Sequence, residues 1–299
     1  MVIPEGRFSR ESLAAALTEI CRLIGLDPEG ATLLRFTNNA VYRLAGDQAV
    51  VRIVGSRAMR HRAEKVVRIA GWLAEHDIPA VRLLAGVEHP IRVGEHLATV
   101  WEVVPAGRHR ARGRDLGKML KLIHRLPPPA FQLPTWDPLD DVRRRVDDAE
   151  ALADDDRQFL LDCCARVAET LASARFELPS VVVHGDAHLG NLIPSPDGPV
   201  LCDFDSTCLG PPAWDLTPVA VGVHRFGEPA RTYREMSRSY GWDVLKSPIF
   251  PVLREVRELK LITSVLPIAR SNPAVGPELA RRLDDFRRGD TRAKWVRYT

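Results

Sequence analysis

The sequence predicts an α+β protein of two lobes, a small, mostly antiparallel β-sheet followed by a largely helical region. Three features predict it. Short apolar runs alternate with turns through the N-terminal third of the chain. From Leu116 onward, apolar residues recur at helical spacing between prolines. Two further apolar runs, Val181–Val183 and Val200–Cys202, each lead straight into acidic or amide residues.

In chain order, Ser9 to Ile24 reads as a helix, with Ser9 or Arg10 near its start and Gly25 just past its end. Ala40–Leu44 and Ala49–Val54 read as strands joined through Ala45-Gly46-Asp47-Gln48, the spacing of a β-hairpin. Arg57–Glu75 carries Ala63, Val66, Val67, Ala70 and Leu73 at helical spacing. Val81–Ala85 and Leu97–Val104 are expected to be strands, the second ending at Pro105-Ala106-Gly107, where the lobes are expected to join. The stripe Leu116, Met119, Leu120, Leu122 and Ile123 predicts a helix that stops before Pro127-Pro128-Pro129. A helix pair is expected over Asp141–Ala174, and proline-punctuated helices from Trp214 on. The division is therefore 1–104 for the first lobe and 105–299 for the second, with an acidic helical insert at about 137–174.

Composition excludes several classes. The 299 residues are 45% hydrophobic and 27% charged, ordinary for a folded domain and wrong for a disordered chain. No apolar run approaches the ~20 residues that span a bilayer, and the N-terminus lacks the apolar core of an export signal. The net charge of +3 is too small to argue for nucleic acid. Five cysteines without a C-x-x-C pair point to reduced thiols and a cytoplasmic protein, with the adjacent Cys163 and Cys164 read as core residues.

Charge is unevenly spread along the chain. Residues 137–170 hold eleven acids against five arginines, a net of −6. Residues 225–299 hold sixteen basic residues against nine acids, a net of +7. The acidic segment admits two readings: a solvated helix pair, or a wall that attracts a polycationic ligand.

The densest chemistry lies in His184-Gly185-Asp186-Ala187-His188-Leu189-Gly190-Asn191 and the following Asp203-Phe204-Asp205. One strand delivers Asp186, an amide follows five residues later, and a second strand delivers Asp203. Phosphorylating a hydroxyl needs a carboxylate to orient the alcohol and accept its proton, and oxygen ligands for Mg²⁺. A rival reading, His184 and His188 as an H-x-x-x-H zinc pair, requires one helical face, which the neighbouring glycines and the preceding strand argue against.

The pattern H-G-D-x-x-x-x-N followed by D-[FW]-[DE] resembles the signature of the aminoglycoside phosphotransferase family, relatives of choline kinase within the protein-kinase-like fold. The resemblance implies Asp186 as catalytic base, His184 as a brace of its loop, and Asn191 and Asp203 as magnesium ligands. Trp214-Asp215-Leu216 is similar to the family's later Y/W-D-L element, which implies that Asp215 ties down the loop backbone. Thr37 and Asn38 resemble the phosphate-covering loop, and Arg52 falls where the family places a Lys or Arg on the phosphates. Glu64 would be the ion-pair partner of Arg52. Glu102 through Val104 resemble the hinge that receives adenine, and Leu120-x-x-x-His124 resembles the family's L-x-x-L-H helix. Two departures stand out: Arg52 replaces lysine, and Asp205 replaces the glycine of protein kinases, as in the antibiotic-kinase branch.

The implied protein is a small-molecule kinase that moves the γ-phosphoryl group of ATP or GTP, with Mg²⁺, to a hydroxyl acceptor. An aminoglycoside-type antibiotic is the favoured acceptor, and neither nucleic acid nor membrane is an expected partner. A metabolic kinase of the same fold, a macrolide kinase and a non-catalytic nucleotide-binding module are the rivals. Trp136 is a further candidate, for stacking on a substrate.

Overall fold

The computed structural model describes residues 10–36, 39–54, 62–108, 110–270 and 272–298. The chain divides into two units, Met1–Arg110 with Leu192–Asp205, and Ala111–Asn191 with Ser206–Thr299.

The first unit is built on a five-stranded antiparallel sheet in the order β1-β2-β3-β5-β4. Its strands are β1 (Thr32–Phe36), β2 (Asn39–Arg43), β3 (Val50–Val54), β4 (Ile91–Val93) and β5 (His96–Trp101). The β2–β3 hairpin pairs Arg43 with Val50, the arrangement its turn residues foretell. Alternation along β3 sends Val51 and Ile53 into the core with Leu13, Ile20, Leu44 and Val100, and turns Arg52 to the other face. Helix α1 (Arg10–Ile24) supplies Leu13, Ala16, Leu17 and Ile20 to that core. Helix α2 (Arg62–Glu75) buries Ala63, Val66, Ile69, Ala70 and Leu73.

Two expectations need correction here. Val81–Ala85 forms no ladder strand. It is an extended segment with isolated bridges, Val81 donating to the Leu201 carbonyl and Leu84 to that of Val100. Conversely, β1 and β4 are ladder strands that local sequence does not reveal. The β1–β2 ladder is irregular between Leu33 and Arg35, which spoils the period-2 pattern of β1, and β4 is three residues long.

The second unit is mainly helical. Its helices are α3 (Gly113–Ile123), α4 (Asp140–Asp147), α5 (Asp154–Ser173), α6 (Pro212–Phe226), α7 (Ala230–Tyr240), α8 (Phe250–Thr263) and α9 (Gly276–Arg287). Two short strands, β6 (Val181–Val183) and β9 (Cys208–Gly210), pair antiparallel among them. The other small pair, β7 (Leu192–Ile193) with β8 (Val200–Leu201), belongs to the first unit. Leu116, Leu120, Leu216, Met236, Leu253 and Leu259 are fully buried in the second unit. Cys163 and Cys164 are buried free thiols, and burial pushes Cys164 up to about 11, as befits core residues.

Helices α3 and α7 approach closely because α3 carries glycines on the facing side. A Cβ at Gly117 would collide with the Met236 carbonyl oxygen. Gly117→Val is therefore expected to cost about 1–3 kcal/mol in denaturant unfolding. Gly71→Ala on α2, where a Cβ meets nothing within 4 Å, is expected to be neutral or stabilising by up to about 1 kcal/mol.

Opposite charge segments meet within the second unit. Asp141 of α4 pairs with Lys260 of α8 at 3.1 Å, Asp156 of α5 with Arg287 of α9 at 2.7 Å, and Glu150 with Arg270. Asp137 and Asp140 face Arg143 and Arg144 locally. Three acids of 137–170 are thus answered by basic residues of the C-terminal segment, while Arg166 pairs in the opposite sense with Glu255.

Candidate functional site

The loop after β6 is held by one carboxylate. Asp215, in the first turn of α6 and fully buried, accepts the backbone N–H of His184 at 2.6 Å and that of Gly185 at 2.8 Å. It also lies 3.0 Å from His124 Nε2 at the end of α3. A carboxylate only accepts, so Nε2 carries the proton, and Nδ1 receives the Tyr240 hydroxyl at 2.9 Å. Burial first, then Asp215, pushes the Tyr240 phenol up to about 12, which keeps it a donor. Trp214 Nε1 donates to the Gly185 carbonyl at 2.8 Å. Gly185 has φ +84°, and a Cβ there would strike the Ser206 carbonyl, so only glycine fits this bend.

The loop also braces itself. The Asp186 N–H donates to His184 Nδ1 at 3.3 Å, and the Asn191 side-chain N–H₂ donates to the Asp186 carbonyl at 2.9 Å. His184 and Asn191 are buried, whereas the Asp186 side chain is 33% exposed. With its nitrogen committed, Asn191 is oriented by Asp186, and its amide oxygen is of the hard type that Mg²⁺ takes. His188 Nε2 stands 3.8 Å from Asp186.

Asp186 has a partner that local sequence did not single out. Arg257 of α8 donates through Nη1 to Asp186 Oδ1 at 2.6 Å, from a side chain only 12% exposed. Lys260, one helical turn on and equally buried, pairs with Asp141. Burial alone would raise the Asp186 carboxyl. Arg257, with His188 and Lys260 behind it, outweighs burial and holds the group below the usual carboxylate range. Burial also lowers the Lys260 ammonium, against the pull of Asp141, while Arg145 adds a like charge. No motif marks α8; the signal was the net +7 of residues 225–299, which does not say which cations turn inward.

In the first unit, Asp203 and Asp205 follow β8. Asp203 adopts φ +70° and stands 3.8 Å from Arg35, with a third of its side chain exposed. Its accessible carboxylate suits a hard cation. Phe204 is buried, 6.2 Å from Trp101 between ring centroids. Asp205 gathers the neighbouring polar groups: Arg52 pairs with its carboxylate, Asn39 donates to it at 3.3 Å, and Lys65 donates to its carbonyl at 2.7 Å.

The ion pair expected between Arg52 and Glu64 therefore has a different acid. Glu64 is exposed on α2, because Ala63 and Val66 take the buried face. Asp205 follows directly from β8 of the same unit and reaches Arg52 on the face of β3 away from the core. Glu102 is exposed with its N–H bonded to the Arg82 carbonyl, and Val104 is half-buried. Thr37 and Asn38 lie outside the described residues. Trp136 is half-buried and packs edge-on to Phe176 and tilted against Trp214 at 5.5 Å.

A five-stranded antiparallel sheet preceding a helical region that carries an H-G-D loop defines a protein-kinase-like small-molecule phosphotransferase fold. The model of the phosphotransferase enzyme family matches residues 33–258, and the chain belongs to that family. Solved structures agree in fold. An amicoumacin kinase, determined in complex with AMP-PNP, Ca²⁺ and Ami, superposes with a TM-score of 0.66 at 15% identity, covering 94% of this chain and 97% of that one. An aminoglycoside phosphotransferase from Streptomyces rimosus gives 0.59 at 23% identity over 83% and 98% of the two chains. A choline/ethanolamine kinase family protein from Mesorhizobium loti gives 0.61 at 18% identity over 92% and 90%. No curated protein matches by sequence. Among the described residues, no helix is long and apolar enough to cross a membrane.

Proposed function

We propose that the protein transfers the γ-phosphoryl group of a nucleoside triphosphate to the hydroxyl of a small molecule, with Asp186 as the group that orients the alcohol and takes its proton. The observation that carries this reading is Asp186 itself. It is an ionised, partly exposed carboxylate on a loop whose backbone is clamped by Asp215 and whose amide neighbour Asn191 is already oriented. Phosphoryl transfer requires little covalent chemistry from the protein, so positioned charges of this kind carry most of the catalysis. His184 serves as a brace through its contact with the Asp186 N–H.

Asn191 and Asp203 are the residues that would hold Mg²⁺, which would neutralise phosphate charge. Arg52, steadied by Asp205, is the cation for the phosphates, and a guanidinium can meet a phosphate with two parallel N–H donors. Thr37, Asn38, Glu102 and Val104 complete the proposed nucleotide contacts, and Glu64 is a helix residue beside Lys65. The free thiols fit a reducing compartment such as the cytoplasm.

For the acceptor, one solved neighbour is a kinase bound to GDP and kanamycin, which keeps an aminoglycoside-type antibiotic among the candidates. The acidic segment gives that choice little support, because several of its acids are paired within the second unit. The cations around Asp186 favour a metabolic kinase instead. Asp203→Ala is expected to remove the magnesium-dependent part of nucleotide affinity, read by calorimetry with and without Mg²⁺. Equal affinities for wild type and variant in Mg²⁺ would refute the ligand assignment.

A further inference from the structure

Resting on the phosphotransferase reading, we infer that the acceptor is an anionic molecule, carrying a carboxylate or a phosphate ester near its reactive hydroxyl, and that Arg257 and Lys260 select it. Both lie on α8, three residues apart and so on one face of the helix, and both side chains are only 12% exposed. Placing two cations in so shielded a position costs desolvation. One partner apiece, Asp186 for Arg257 and Asp141 for Lys260, uses little of their donor capacity. Among the described residues, the remaining guanidinium nitrogens of Arg257 make no hydrogen bond, and none of them is a sealed, unsatisfied atom.

The fork of a guanidinium matches the paired oxygens of a carboxylate or phosphate. Charge around the base points the same way. Arg257 pairs with Asp186 and Lys260 with Asp141, Arg145 adds a like charge to Lys260, and His188 stands beside Asp186. When Asp186 accepts the hydroxyl proton, Arg257 loses the negative charge that answers it. A polycation would bring its ammonium groups against these cations, whereas an anionic acceptor would relieve them. The anion would also take up the Arg257 donors that Asp186 leaves unused, keeping the carboxylate available to the alcohol.

The test is an acceptor series matched on two skeletons. One set is glycerol, aminopropanediol, glycerate and glycerol phosphate. The other is a neutral hexose with its amino sugar, uronic acid and phosphate ester, and kanamycin serves as the polycation. Nucleotide-dependent phosphorylation and calorimetric binding without nucleotide are measured for wild type, Arg257→Gln and Lys260→Gln.

In wild type, an anionic member is expected to exceed its cationic counterpart at least ~10-fold in kcat/KM and in affinity. The carboxylate and phosphate arms identify which anion is read. Arg257→Gln is expected to shrink that ratio at least ~5-fold, and Lys260→Gln to shrink it in the same direction. Preference for the cationic members, or for kanamycin, would overturn the assignment. So would equal slowing of all members by Arg257→Gln, which would place Arg257 on Asp186 or the phosphoryl group alone, and so would binding of none. The wild-type series decides the charge preference even if a variant fails to fold. Absence of nucleotide binding would instead refute the phosphotransferase reading, leaving the nucleotide-free acceptor measurement to stand separately.

Discussion

Replacing Asp186 with alanine is expected to slow phosphoryl transfer at least ~10²-fold while leaving the nucleotide dissociation constant within about twofold of wild type. The separation follows from the proposed roles: Arg52, Asp203 and Asn191 are the nucleotide and magnesium contacts, and Asn191 is held by the Asp186 backbone carbonyl, which the alanine variant keeps. A carboxylate below its ordinary range is a weak base, so the role proposed for Asp186 is to orient the alcohol and to take the proton late, once P–O bond formation has made the hydroxyl acidic. Asp186→Asn keeps the shape and removes the charge. It is expected to lose nearly as much turnover, because the neutral amide neither accepts the proton nor answers Arg257. Coupled turnover assays and calorimetry on the same preparations check both halves; near-normal turnover in either variant would dismiss the base.

Asp215→Ala should produce the largest loss of stability. Its two oxygens satisfy the N–H groups of His184 and Gly185 and the imidazole N–H of His124, and all these groups are buried. Each donor left unpaired away from water costs about 1–3 kcal/mol, so the variant is expected to lose about 3 kcal/mol or more. The melting temperature should fall by several degrees, and turnover should fall with it as the Asp186 loop relaxes. Asp215→Asn keeps one acceptor oxygen but sets an N–H₂ against an N–H. Its stability is expected to lie between wild type and alanine. An alanine variant that melts with wild type would mean that Asp215 does not carry the loop.

The parts of the molecule that could be read from sequence are those whose partners are close along the chain. His184, Asp186 and Asn191 brace one another within eight consecutive residues, so their relation is visible as a motif. The β2–β3 hairpin is legible for the same reason, since a short turn fixes its register. Relations set by tertiary packing left no local mark. Arg257 reaches Asp186 across 71 positions, from a helix whose arginines and glutamates look alike in sequence. Arg52 finds Asp205 across 153 positions, and the nearer Glu64 points outward because its neighbours on α2 take the core. The strand expected at Val81–Ala85 has the right composition but meets other backbone only at isolated bridges, which composition cannot foresee. The opposed charges of 137–170 and 225–299 are plain in sequence, and three pairs between them join the two segments within the same unit.

The central claim is tested most directly by following the γ-phosphoryl group itself. γ-Labelled ATP and GTP, each with Mg²⁺, are incubated with wild type and Asp186→Asn over the acceptor series, and the label is traced to acceptor, to inorganic phosphate or to neither. Transfer to the hydroxyl of an acceptor by wild type, lost in Asp186→Asn while the nucleotide still binds, is the predicted result. Label that never reaches an acceptor, or that reaches it equally with both proteins, would contradict the account.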